Sequence, residues 1–210
     1  MSAPPLHVSN LAKRFGNRAV LEDICLEVAP AEVVRISGPN GAGKSTLLTC
    51  IAGTLIPDQG RIAIAGHDLH GAPLLARAAL RYLPQASPSP RGVSGRELLD
   101  FYGEVYGASP SEVDDVAGGS GLDGSLDALV TSYSGGMKRR LMFNALRFGR
   151  PALVILDEPV AGVDRSGRRA FRTQLDRWRS DGAAVLLTSH EPTDQTFEAL
   201  PMRVVELDAP

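Results

Sequence analysis

The run from Gly38 to Thr46, which reads Gly-Pro-Asn-Gly-Ala-Gly-Lys-Ser-Thr, constrains this chain more than any other feature. It follows the apolar segment 33–37 and opens a segment with helical spacing, so it lies where a strand passes into a helix. Its glycines allow consecutive backbone N–H groups to point inward and form a nest for anions. A helix that begins at the same point adds the positive end of its dipole. The run therefore predicts a phosphate-binding loop for a nucleoside triphosphate.

Two side chains of this loop carry chemistry. Lys44 supplies a mobile cation for the β- and γ-phosphates of a nucleotide. Ser45 supplies a hydroxyl for Mg²⁺, the metal that accompanies nucleotide phosphates in such loops. The predicted nucleotide-binding residues of the loop are Gly38, Pro39, Asn40, Gly41, Ala42, Gly43, Lys44, Ser45 and Thr46.

Size and composition restrict the class of protein. At 210 residues the chain is long enough for one domain with a substantial core. No apolar run approaches the roughly 20 residues of a membrane-spanning helix, and no secretion signal is recognised, so we expect a cytoplasmic protein. A formal net charge of −2 argues against general affinity for nucleic acid. Cys25 and Cys50 lack metal-ligand spacing and are predicted to be small buried residues rather than disulfide partners.

The order of apolar segments predicts an α/β fold. Segments 6–15 and 19–28 are patterned like strands of an antiparallel layer ahead of the phosphate loop. Segments 153–156 and 183–187 are apolar throughout, which is typical of strands buried on both faces of a parallel sheet. A capping box from Ser94 to Glu97 starts a helix after a Pro/Ser-rich connector. We therefore expect a helical block inserted between the two parts of the sheet.

Polar side chains follow both of the fully apolar strands. Asp157 continues the first strand and would approach Mg²⁺ directly or through a water. Glu158, one residue further, could polarise an attacking water, a role worth about 10²–10⁴-fold in rate. Thr188-Ser189-His190 follows the second strand, where His190 would act as a γ-phosphate sensor. Because ligands bind at the carboxyl ends of strands in open α/β sheets, these residues are candidates for catalysis.

A second helix N-terminus is predicted at Ser134, which is a good N-cap for the segment Gly135-Gly-Met-Lys-Arg-Arg140. Lys138, Arg139 and Arg140 crowd the early turns, where each cation opposes the helix dipole by about 0.3–1 kcal/mol. Local helix stability therefore does not explain these residues. A second anion site and a solvated basic face are both compatible with the sequence.

Two further residues are ambiguous by themselves. Phe15 lies beside a turn, where its ring could stack on a base or pack in the core. Gln85 follows a short strand at 81–83 and could be a solvated loop residue. The role of each residue can be assigned only from its position in the chain relative to the motifs above.

The order of these motifs resembles the ATP-binding subunit of an ABC transporter over nearly the whole chain. By position, the resemblance assigns the nucleotide-binding parts first: 38–46 is similar to the Walker A loop, Phe15 to the adenine-stacking aromatic and Gln85 to the Q-loop glutamine. The signature motif corresponds to Ser134, Gly135, Gly136 and Met137. The segment 153–157 is similar to the Walker B strand, Glu158 to the catalytic glutamate, Asp164 to the D-loop aspartate and His190 to the switch histidine. The signature between Q-loop and Walker B makes the assignment specific, because Walker A alone is shared by many NTPases. The segment Ala161-Gly-Val-Asp164 departs from the usual Ser-Ala-Leu-Asp of the D-loop.

The resemblance implies a P-loop NTPase fold of ABC type, with a mostly parallel sheet core, an N-terminal antiparallel β layer and an inserted α-helical subdomain. It places the core at 1–86 and 150–210 and the helical subdomain at 87–149. It implies an ATPase with Glu158 and His190 as catalytic residues and Mg²⁺ held by Ser45, Gln85 and Asp157.

The resemblance also implies partners. Two nucleotide-binding subunits, expected to be identical, pack head to tail so that the signature of one closes over the ATP held by the other. A transmembrane permease receives this motion and holds the subunit at the inner face of the cell membrane. No nucleic-acid partner is expected.

Alternatives remain open at this point. Met137 in place of the commoner signature glutamine resembles export ATPases of the drug, antibiotic and lipid type. The shortness of the chain and the segment 185–192 also resemble haem-exporter ATPases of cytochrome c maturation. A soluble ABC-type ATPase acting on chromosomes or ribosomes would need coiled coils or a second cassette, neither of which this sequence contains. A subunit that hydrolyses ATP poorly and acts as an ATP-gated clamp is a further alternative.

Overall fold

The computed structural model describes residues 3–86, 89–122, 124–189, 195–197 and 200–208. The strands are β1 (Leu6–Phe15), β2 (Arg18–Val28), β3 (Val33–Ser37), β4 (Gln59–Ile64), β5 (His67–Asp68), β6 (Leu80–Leu83), β7 (Leu153–Leu156), β8 (Ala184–Thr188) and β9 (Arg203–Glu206). The α-helices are α1 (Lys44–Ile51), α2 (Pro73–Ala78), α3 (Gly95–Val105), α4 (Pro110–Gly118), α5 (Gly135–Ala145) and α6 (Arg165–Ser180).

The chain divides into two units. The first comprises Met1–Gln85, Arg150–Pro159 and Leu175–Pro210, and the second comprises Ala86–Gly149 and Val160–Gln174. The first unit contains both sheets that the described residues form. The second contains α3, α4, α5 and the beginning of α6.

The larger sheet of the first unit has the strand order β6-β7-β8-β3-β9, and its neighbouring strands are parallel. Every residue of β7 and β8 is buried, as expected for strands covered on both faces. Because the strands are parallel, the residues that follow β3, β6, β7 and β8 meet at one edge of the sheet. The predicted α/β fold class is confirmed, and Asp157 and Glu158, two of the predicted site residues, follow β7 at this edge.

The second sheet has the order β2-β1-β4-β5 and is antiparallel, as predicted for the N-terminal layer. The chain reverses between β4 and β5 at Ala65 and Gly66, which have φ of 49° and 82°. One local prediction was wrong here. Cys25 is exposed, because it lies on the same face of β2 as Glu27, whereas Cys50 is buried. Burial raises the pKa of the Cys50 thiol to about 11.

In the second unit α3 packs against α4 and α5. Both α3 and α4 begin with complete capping boxes, at Ser94 with Glu97 and at Ser109 with Glu112, and the first of these agrees with the capping box predicted at Ser94. Residues 160–174, predicted within the core, belong to this unit. The Phe143 and Phe171 rings lie 5.1 Å apart between centroids and join α5 to the first half of α6.

Candidate functional site

The loop between β3 and α1 is shaped by its glycines. Gly38, Gly41 and Gly43 have φ of 142°, 83° and 93°. A Cβ on Gly38 would collide with the Leu207 carbonyl, and one on Gly43 would lie 2.8 Å from the Val20 carbonyl oxygen. No side chain caps α1, which begins directly after the left-handed Gly43. The backbone N–H groups of its first turn therefore suit an anionic ligand.

Lys44 extends back across this loop. The residue is only 8% exposed, and its Nζ donates to the carbonyl oxygens of Gly38 at 2.7 Å and Pro39 at 2.9 Å. An ammonium group has three donors, so a phosphate can be bound without releasing both carbonyls. The structure therefore places a buried cation within the phosphate loop, and its contact with nucleotide phosphates stays a prediction.

Asp157 and Glu158 follow β7 and are 2% and 7% exposed. Thr188, at the end of the neighbouring β8, bonds to both. Its Oγ1 donates to Asp157 Oδ1 at 2.7 Å and accepts from the Glu158 backbone N–H at 3.0 Å. Glu158 has a φ of 51°, a left-handed conformation that costs a residue other than glycine roughly 1–3 kcal/mol. Glu158, the residue predicted to be catalytic, thus has a strained backbone conformation.

A cavity of about 350 Å³ gathers residues from these strand ends. This volume lies within the range of small-molecule sites. Its lining residues are Arg18, Val20, Asn40, Gly41, Gly43, Lys44, Ser45, Thr46, Gln85, Asp157 and Glu158. The structure thus brings nine predicted site residues together, from three separate stretches of sequence. Gly38, Pro39 and Ala42 belong to the same loop but do not line the cavity.

The same cavity contains a donor set for Mg²⁺. Ser45, Gln85 and Asp157 all line it and carry oxygen atoms, which are the ligands that Mg²⁺ prefers. One carboxylate with neutral oxygen donors fits an ion whose remaining ligands are nucleotide phosphates and waters. These residues therefore fit the predicted metal. When bound there, Mg²⁺ would neutralise charge on the phosphates.

Phe15 is not a core residue, since it is 52% exposed. A two-residue hairpin, Gly16-Asn17, joins β1 to β2 and sets Phe15 directly opposite Arg18. Arg18 Nη2 in turn donates to the Gly41 carbonyl oxygen at 3.5 Å. This register pairs the exposed aromatic with a residue that contacts the phosphate loop, whereas Phe15 itself does not line the cavity. The exposure argues against a packing role for the Phe15 ring, and stacking on a base stays a prediction.

Sequence reasoning missed Arg18, Val20 and Thr188. The hairpin register could have identified Arg18, because a two-residue turn pairs the residue before the turn, Phe15, with the residue after it, Arg18. The sequence places Thr188 in the polar segment that follows the second apolar strand, but it assigns no role to this residue. Its bonds to Asp157 and Glu158 depend on the neighbouring positions of β7 and β8, which are about thirty residues apart in sequence.

We expect Arg18→Ala to weaken the binding of ATP and ADP by about tenfold, because charge-assisted hydrogen bonds contribute about 1.5–3 kcal/mol. Arg14→Ala is the matched control, since exposed Arg14 donates to the Asn17 carbonyl and does not line the cavity. Equilibrium titration of each variant with nucleotide measures the effect. Equal affinities for the two variants would contradict the assignment of Arg18 to the nucleotide site.

The predicted signature motif lies in the second unit. The Ser134 side chain caps α5 by accepting from the Met137 N–H at 3.2 Å, which agrees with the predicted N-cap. Ser134, Gly135 and Gly136 are exposed. This helix end is therefore presented at the surface of its unit.

Two of the cations that follow, Arg139 and Arg140, are held within the second unit. Arg139 is buried. Arg140 donates to the Gly121 carbonyl oxygen at 2.8 Å and to Asp164 Oδ1 at 3.0 Å. The inference that local helix stability does not explain these cations is not contradicted, because the ion pair of Arg140 is with a residue of the segment before α6, 24 residues further along the chain.

Asp164, the predicted D-loop aspartate, accepts hydrogen bonds at the start of α6. The Gly167 N–H at 2.7 Å and the Ser166 hydroxyl at 3.0 Å both donate to its Oδ1. These bonds, with the charge of Arg140, hold the pKa of the Asp164 carboxyl below its ordinary value. His190, the predicted switch histidine, lies outside the described residues.

Comparison with known proteins identifies a single family. The family model described as ABC transporter matches residues 21–161, a range that contains the phosphate loop, Gln85, the signature segment and both carboxylates. A solved structure described as the ATP binding subunit of an ABC transporter is 30% identical. It aligns with a TM-score of 0.87 over 96% of this chain and 85% of that one.

Curated relatives differ in the direction of transport that their names state. The Nod factor export ATP-binding protein I of Rhizobium sp. (strain N33) is 31% identical over 194 residues, which cover 90% of this chain and 64% of that protein. The zinc import ATP-binding protein of Roseobacter denitrificans is 35% identical over 185 residues, covering 88% of this chain and 68% of that protein. The chain spans between 59% and 64% of the length of the first three Nod factor export proteins that it matches.

Proposed function

This chain belongs to the ATP-binding domains of the ABC transporter family, and from that premise we propose that it binds and hydrolyses MgATP to drive export through a separate membrane-spanning partner. The observation that carries the proposal is the cavity at the ends of β3, β6 and β7. It combines a phosphate-binding loop with oxygen donors for Mg²⁺ and with Glu158. These are the groups that positioning and charge stabilisation of phosphoryl transfer require.

Each group has a role in this proposal. The loop and Lys44 bind the phosphates, Phe15 stacks on the base, and Ser45, Gln85 and Asp157 hold the metal. Glu158 accepts a proton from the attacking water, since a buried carboxylate beside the phosphate loop is suited to act as a general base. His190 is proposed as the γ-phosphate sensor on sequence grounds alone.

A second copy of the chain is proposed to complete each site. Glycine within a helix costs roughly 0.5–1 kcal/mol relative to alanine. Yet a Cβ on Gly135 would meet no atom within 4 Å, and one on Gly136 would lie 3.7 Å from the Gly162 carbonyl oxygen. Packing within the described chain therefore does not require glycine at either position. Close approach of a nucleotide held by another subunit would explain why glycine occupies both positions.

We expect Gly135→Ala to abolish ATP-dependent dimerisation while leaving the free energy of unfolding unchanged or slightly increased. Gly118→Ala is the matched control, because Gly118 is also helical, is exposed and has open space for a Cβ. Light scattering of both variants in the Glu158→Gln background, with and without MgATP, separates the two outcomes. Dimerisation by Gly135→Ala as strong as that of Gly118→Ala would contradict the composite site.

The membrane partner and the direction of transport are inferred from the family. None of the helices in the described ranges has both the length and the apolar character of a membrane span. Met137 in the signature and the similarity to Nod factor export proteins support export. The proposal places the chain at the inner face of the membrane, attached through this partner.

The test is reconstitution of the chain with the membrane protein that co-purifies with it. When ATP is supplied on the membrane face to which this chain is bound, we expect cargo to be transported from that face to the opposite one. We expect Glu158→Gln to stop this transport. Cargo movement in the opposite direction would identify an importer. Co-purification with RNA or DNA and no membrane protein would contradict a transport function.

A further inference from the structure

Thr188 connects two neighbouring strands at the predicted catalytic edge of the first unit. The residue is 1% exposed, and its hydroxyl lies between the side chain of Asp157 and the backbone of Glu158, at 2.7 Å and 3.0 Å. The direction of both bonds is determined by chemistry. A backbone N–H can only donate, so the hydroxyl accepts from Glu158 and its one hydrogen is directed to Asp157 Oδ1.

This arrangement restrains both carboxylate residues. The bond to Oδ1 limits rotation of the Asp157 side chain, because a hydrogen bond requires a narrow range of angles. The bond to the Glu158 N–H holds the backbone where φ is 51°, a conformation that persists only when its surroundings impose it. One hydroxyl therefore acts on the metal-binding candidate and on the candidate general base together.

We propose that Thr188 is a positioning residue that holds Asp157 and Glu158 in the arrangement required for Mg²⁺-dependent ATP binding and hydrolysis. This inference rests on the proposed function. Thr188 does not line the cavity, so its proposed effect is exerted through the two carboxylate residues. Groups that orient metal ligands in this way typically change metal affinity or activity by 10–100-fold when they are removed.

Two substitutions separate the hydroxyl from the packing of the side chain. Thr188→Val keeps the branched shape and removes the hydroxyl, whereas Thr188→Ser keeps the hydroxyl and removes a methyl group. If packing alone mattered, the serine variant would be the more damaged. Thr173→Val is the matched control, because exposed Thr173 donates to the Arg169 carbonyl within α6 and lies outside the cavity.

The measurement is ATP affinity at equilibrium, in excess EDTA and in excess Mg²⁺, followed by ATP turnover at saturating MgATP. For Thr188→Val we expect affinity in EDTA within twofold of wild type, a Mg²⁺-dependent gain in affinity reduced by about 10–100-fold, and turnover reduced by a similar factor. Thr188→Ser and Thr173→Val are expected to remain within about threefold of wild type in all three quantities.

The outcomes distinguish this inference from the proposed function. A Mg²⁺-dependent gain unchanged in folded Thr188→Val would overturn it, as would equal losses in the serine and valine variants. If Thr188→Val does not fold, Thr188→Ala is measured instead. Thr188→Ala leaves space for a water at the Glu158 N–H. The inference requires that the Mg²⁺-dependent gain in ATP affinity of this variant is also reduced by at least tenfold. Failure of the wild-type chain to bind MgATP would reject the proposed function itself.

Discussion

Glu158→Gln is expected to lower ATP turnover by about 10²–10⁴-fold, the contribution of a positioned general base. The substitution keeps the shape of the side chain and the backbone N–H that donates to Thr188 Oγ1. It removes the charge that would accept a proton from water. The affinity for MgATP is therefore expected to stay within a few-fold of wild type. Phosphate release under single-turnover conditions measures the first quantity, and equilibrium titration measures the second.

Glu104→Gln is the matched control for this experiment. Glu104 is exposed on α3 and lies outside the cavity, so its substitution removes the same charge without touching the site. Turnover by Glu158→Gln close to that of Glu104→Gln would contradict the role assigned to Glu158. Loss of both turnover and MgATP binding would show that this residue acts in binding rather than in proton transfer.

Lys44→Ala is expected to weaken ATP binding by at least 100-fold. Each charge-assisted hydrogen bond from the ammonium to a phosphate contributes about 1.5–3 kcal/mol, and about 1.4 kcal/mol is tenfold in affinity. The variant also leaves the carbonyls of Gly38 and Pro39 without the donor they have in this structure. Titration of wild type and variant with ATP and ADP measures the loss.

A control is needed to separate lost binding from a disturbed loop. Arg61→Ala removes an exposed cation of β4 that does not line the cavity, and it is expected to bind ATP like wild type. Thermal unfolding of Lys44→Ala without nucleotide reports the change in the loop itself. ATP affinity within tenfold of wild type in a folded Lys44→Ala variant would reject the phosphate-binding role of this lysine.

Much of the site was predictable because its parts are local. The glycines and Lys44 act within nine consecutive residues between a strand and a helix, and the structure gives Gly38, Gly41 and Gly43 the positive φ values that this loop requires. Asp157 and Glu158 were predicted from an all-apolar strand that ends in two carboxylates. Parallel strands then bring these separate signals to one edge of the sheet.

Other features were wrong or undecided for one physical reason. Whether Phe15 is exposed depends on which sheet face it occupies. Whether Arg140 is an unpaired cation depends on Asp164, twenty-four residues further along the chain. No local pattern contains this information, because a side chain is paired or unpaired only in relation to elements distant in sequence.

By itself, therefore, the sequence determined a phosphate-binding loop, a buried parallel sheet that ends in carboxylates, and a helix capped by Ser134. Each of these follows from chemistry within one turn, strand or helix end. Only the tertiary structure decided that Thr188 bonds to Asp157 and Glu158, and that Arg18 reaches Gly41 beside Phe15. Those contacts follow from strand order and register, which arise when distant segments pack together and share one hydrogen-bonded sheet.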